Sequence, residues 1–157
     1  MIGSSWLFKE QWNFSEIPTE MVFSTYMKAL LICANGDGIL TDEERNWVIG
    51  YCAALGAPNS VIEQLKIYEA NEDINEIISN CKIVNIEGSK RSLIYDAVRA
   101  STADGEYHPN EKAVVRKMAE KLGISEEVVN QIEEIYAEEV RIREKRINLI
   151  FPDGTPL

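Results

Sequence analysis

Apolar positions recur along most of this chain at intervals of three and four, the signature of helices with one buried face. Met27, Leu30 and Leu31 mark one such face; Trp47, Val48, Tyr51, Cys52 and Leu55 mark a second; Val61, Ile62, Leu65 and Tyr68 mark a third. The series then repeats as Ile94, Ala97 and Val98, then Val114, Val115, Met118, Ala119 and Leu122, then Val128, Val129, Ile132 and Ile135. The offset is 104 − 37 = 67 residues, which lays Asp37-Gly38 on Asp104-Gly105 and Glu44 on Glu111. The pattern predicts an all-α fold: one compact bundle of about seven helices, made of two helix–Asp-Gly loop–helix–helix units over residues 20–72 and 88–150.

Start and stop signals agree with this division. Gly56 and Gly123 suit the left-handed conformation that ends a helix, and Ser60 and Ser125 are candidate caps for the helices that follow. Thr41 and Glu44 form a capping-box pattern, in which hydroxyl and carboxylate each satisfy an orphan amide at the helix start. In the second unit His108-Pro109 takes that place, proline having its φ already set and no N–H to leave unpaired. Between the units, residues 73–87 read as a linking helix, opened by Asp73 and Glu76 and carrying Ile74, Ile77, Ile78 and Cys81 on one face. The last helix is expected from about Ser125 towards Asn148, with Glu139 and Arg143 spaced for an exposed ion pair. Residues 151–157 are a turn and tail, and residues 1–15 an aromatic arm. In that arm Trp6, Phe8, Trp12 and Phe14 alternate as in a strand, yet no segment offers a partner strand, so the rings are expected to dock on the bundle.

Composition narrows the function classes. A chain of 157 residues can bury a single core without disulfides or metals as staples. Its 26 acidic and 16 basic residues leave a formal charge of −10, which disfavours nucleic acid as a partner. The one dense basic cluster, Arg141, Arg143, Lys145 and Arg146, is explained as cations near the end of a helix that opens with Glu126 and Glu127. Cys33, Cys52 and Cys81 share no metal-ligand spacing and sit among apolar neighbours, so they read as reduced core residues. Ser4, Trp6, Lys9 and Glu10 interrupt the apolar run an export signal needs, and no stretch approaches about 18 apolar residues, so a cytoplasmic, non-membrane protein is expected. A single histidine, His108, removes the usual zinc-hydrolase and Ser-His-Asp arrangements.

The chemistry-bearing feature is the pair of Asp-Gly loops. Residues 34–44, ANGDGILTDEE, resemble an EF-hand loop in which Asn35, Asp37 and Glu44 take ligand positions and Gly38 makes the sharp turn. The first ligand position would be Cys33, and in the second loop Ala100 and Thr102 stand where oxygen ligands belong. Only Asp104 and Glu111 remain there as strong donors, so an ordinary EF-hand is disfavoured.

Ala34-Asn35-Gly36-Asp37-Gly38 with Glu43-Glu44, and Ala103-Asp104-Gly105 with Glu111, resemble the doubled A-x-A-D-G-x(5)-E pattern of TerB-like proteins over roughly Ser24 to Ala137. These are tellurite-resistance-associated helical domains, related to the N-terminal region of some DnaJ-like co-chaperones. The resemblance implies a compact helical bundle, a bacterial cytosolic stress-response setting, a suspected divalent-cation role for acidic residues and no established enzymatic reaction. The sequence departs from the pattern at Asn35-Gly36 and at His108-Pro109, which argues against a symmetric pair of sites.

Two readings of the loops follow. In one, an internal two-fold brings Asp37, Glu44, Asp104 and Glu111 together as one site for calcium or magnesium, since like charges that close repel unless a cation neutralises them. In the other the aspartates accept turn amides, the glutamates cap helices, and the chain is a metal-free helical module for protein–protein contact. Acid/base catalysis by paired carboxylates has least support, because no nucleophile, phosphate loop or substrate cleft is evident.

Overall fold

A computed structural model describes residues 2–82 and 85–156. Its described residues form eight helices and no strands: α1 (Ile2–Trp12), α2 (Glu20–Ala34), α3 (Asp42–Ala54), α4 (Asn59–Ile67), α5 (Ile74–Ser79), α6 (Ile86–Ser101), α7 (Pro109–Lys121) and α8 (Glu126–Ile150). The fold is all-α, as the apolar periodicity predicts. The extra helix is α1. Its face follows a four-residue step through Ser4, Phe8 and Trp12, and the serine hides the apolar stripe from a sequence reading. Ser4 is buried because its hydroxyl donates to the Leu55 carbonyl, while Phe8 packs edge-on to Phe23 of α2 and Trp12 edge-on to Tyr95 of α6. The arm therefore docks on the bundle, but as a helix, and Trp6 stays 62% exposed.

The core sits between α2 and α6. Leu30 and Leu31 of α2 and Ile94 and Val98 of α6 are fully buried, and α3, α4, α5 and α7 close around them with Val48, Leu65, Ile74 and Val115. Burial of each such side chain is worth about 1.5–3 kcal/mol. Helix boundaries follow local chemistry. The Thr41 hydroxyl accepts from Glu44 N–H at 3.2 Å, and Glu44 Oε2 accepts from Thr41 N–H at 2.9 Å, which completes the capping box. Asp73 and Ser125 cap α5 and α8 as expected. Gly56 (φ +85°) and Gly123 (φ +74°) occupy the left-handed region after α3 and α7.

Several local expectations change. Pro58, not Ser60, takes the cap position of α4, and the Ser60 hydroxyl donates to Glu20 instead. The linking helix is short, and residues 83 and 84 of the expected 73–87 span lie outside the described residues, as does Leu157 of the tail. Glu139 accepts from the Tyr95 hydroxyl rather than pairing with Arg143. Helix α8 runs on to Ile150, so its basic cluster lies before the last turn rather than in it.

Candidate functional site

Each Asp-Gly loop is built by its own backbone. Gly38 (φ +84°) and Gly105 (φ +98°) sit in a region that side chains with a β-carbon rarely adopt. The preceding aspartate closes each turn: Asp37 Oδ1 accepts from Ile39 N–H at 2.9 Å, and Asp104 Oδ1 from Glu106 N–H at 3.0 Å. The glutamates at the helix starts also match, since Glu111 Oε2 accepts from His108 N–H at 2.8 Å. His108 stands at the cap position of α7 and turns its ring to Asp104, with Nε2 3.2 Å from Oδ2.

The loops lie side by side because the first rests on the helix that the second opens. A β-carbon placed on Gly36 would fall 2.8 Å from Val114 Cγ1 and 3.1 Å from Met118 Cγ, both on α7. Glu44 consequently feels Glu111 as well as Asp37. Burial raises its carboxyl above the usual range, Thr41's hydrogen bonds pull it down, and the two neighbouring carboxylates push it up again. Asp104 moves the opposite way, lowered first by the Glu106 amide and then by His108.

The structure thus brings Asp37, Glu44 and Glu111 into one field, while Asp104 is occupied by its own turn and His108. Asp37 Oδ2, Glu44 Oε1 and Glu111 Oε1 have no protein partner among the described residues. These are hard oxygen donors of the type calcium and magnesium take. No three His, Cys, Asp or Glu side chains among the described residues are arranged to hold an ion directly.

A second polar constellation escaped the sequence reading. Asp96 of α6 is 1% exposed, accepts from the Tyr26 hydroxyl at 2.7 Å and pairs with Arg99 at 2.9 Å. Arg99 stacks within 5.0 Å of the Trp47 ring, 4.8 Å of Tyr51 and 5.5 Å of Tyr95. Burial raises the Asp96 carboxyl despite both hydrogen bonds. Its signal lay in the repeat: at the 67-residue offset, Asp96 and Arg99 stand where the first unit has Ala29 and Ile32. Beside this network lies a cavity of about 830 Å³ between α1, α2, α6 and α8, a cleft the sequence did not disclose. Cys33, Cys52 and Cys81 are buried free thiols, with burial pushing Cys33 up to about 12 and Cys52 to about 11. No helix among the described residues is long and apolar enough to cross a membrane.

An all-helical bundle with two Asp-Gly turns, each leading into a glutamate-capped helix, defines a protein class, and the family model of tellurite resistance protein TerB matches residues 26–134. The chain belongs to the TerB family. It is also similar, at 43% identity, to a tellurite resistance protein from Nostoc punctiforme whose crystal structure superposes with a TM-score of 0.93, over 99% of this chain and 96% of that one. No curated protein matches the chain significantly.

Proposed function

We propose that this TerB-family chain is a cytoplasmic, non-enzymatic binding protein of the tellurite-resistance and stress-response setting. Where its two Asp-Gly loops adjoin it takes up calcium or magnesium weakly, and the bound cation adjusts contact with a protein partner. The supporting observation is the seat of Gly36 on Val114, which joins the two units where Glu44 feels the charge of Glu111. Glu44 and Glu111 would each offer one free carboxylate oxygen, with Asp37 reached through water that completes the shell, as magnesium in particular prefers. The cation supplies positive charge that offsets the repulsion among the three carboxylates.

Titration of chelator-treated protein tests this. At ten times a millimolar Kd, binding to the folded state contributes about 1.4 kcal/mol, or roughly 4 °C in melting temperature. That gain should vanish in the double variant Asp37→Asn plus Glu111→Gln. No saturable heat and no melting shift with calcium or magnesium would refute the reading.

The metal-free interaction module is the second reading, and α8 favours it. Its distal turns leave Ile142, Ile147, Leu149 and Ile150 between 44% and 82% exposed. Under this reading the loop variants are silent, and Ile142→Glu plus Leu149→Glu abolishes partner contact.

A further inference from the structure

The cavity between α1, α2, α6 and α8 has the size of a small-molecule site, for which several hundred Å³ is usual. Its walls are ring-rich: Phe8, Trp12, Phe14, Tyr51 and Tyr95 all face it, with Val128, Ile132 and Ile135 of α8 opposite. Rings held in edge and offset contacts favour a flat ring between them over a flexible chain. Trp12 and Tyr95 already meet edge-on here, and Phe8 and Phe14 stack at 6.1 Å.

The charges on the lining are unequal in their commitments. Arg99 is paired with Asp96, and Glu139 accepts from the Tyr95 hydroxyl. Arg91 also lines the cavity, is exposed, and its side chain has no hydrogen bond or ion pair among the described residues. In a chain of net charge −10, this leaves an uncommitted guanidinium at an apolar, aromatic opening. Its planar fork matches a carboxylate in two parallel hydrogen bonds.

We propose that this cavity binds a small aromatic carboxylate, its ring system among the α1, α3 and α6 rings and its carboxylate on Arg91. The site is separate from the Asp-Gly loops and does not depend on a cation there.

The test uses the full chain in chelator and compares 2-naphthoate with neutral 2-naphthalenemethanol, by calorimetry and by the fluorescence of the tryptophans, of which Trp12 lines the site. We expect one 2-naphthoate per chain, bound at least tenfold tighter than the alcohol. Arg91→Gln should erase that preference while leaving alcohol binding unchanged, and Ile135→Trp, at an exposed lining position, should block both probes without lowering the melting temperature. Equal affinity for both probes, a preference that survives Arg91→Gln, binding unaffected by Ile135→Trp, or no binding at all would overturn the proposal. Tighter binding of decanoate than of 2-naphthoate would overturn the aromatic assignment.

Discussion

Gly36 lies against Val114 so closely that a β-carbon at residue 36 would come within 2.8 Å of the valine's Cγ1. Val114 is β-branched and stiff, and the Cys33 carbonyl stands 3.2 Å away on another side, so neither neighbour yields easily. Gly36→Ala is expected to destabilise the fold by about 1–3 kcal/mol, as overpacking does elsewhere. It should also part the two loops and weaken any cation effect. Thermal melting with and without calcium checks both consequences.

The Asp96–Arg99 pair carries a larger stake. Asp96→Ala would leave the guanidinium among rings without its counter-charge and remove one partner of the Tyr26 hydroxyl. Breaking a buried pair on one side costs about 3–5 kcal/mol, and because Arg99 keeps some solvent contact a loss of roughly 2–3 kcal/mol is expected in denaturant unfolding.

Glu44 gives a pH-dependent expectation. Burial first, and then Glu111 and Asp37, raise its carboxyl in the folded state. Its contribution is therefore fully present below the ordinary carboxylate value and is lost as pH rises through the higher folded-state value. Glu44→Gln keeps an oxygen for Thr41 and removes the charge. In chelator the variant should melt above the parent at neutral pH, with the difference fading towards about pH 4. A variant that melts lower at neutral pH would contradict this.

Thr41 tests the cap directly. Its hydroxyl accepts the Glu44 amide, so Thr41→Ala should cost about 1 kcal/mol by chemical denaturation, without altering the helical circular dichroism of the folded state.

What the sequence disclosed follows from how local each signal is. Capping by Thr41, Asp73 and Ser125, the left-handed Gly56 and Gly123, and the α2, α3, α6 and α7 faces all depend on residues a few positions apart, and all were legible. The helix α1 was not, because Ser4 owes its burial to a carbonyl 51 residues away. Ser60 is not the cap because Pro58 already supplies the extended backbone that opens α4. At the loops, the four carboxylates were identifiable but their engagement was not. Only the fold shows Asp104 turned to His108 and Glu44 within the field of Glu111. The Asp96–Arg99 network was visible in principle, as two charges at positions where the first unit is apolar, yet its aromatic collar comes from α3 and α6 together.

The most direct test of cation binding at the adjoining loops is an anomalous difference map from crystals grown in calcium. We expect one peak whose ligand distances to Glu44 and Glu111 oxygens lie near 2.3–2.6 Å, completed by water. A map without a peak there, at calcium concentrations well above millimolar, would contradict it.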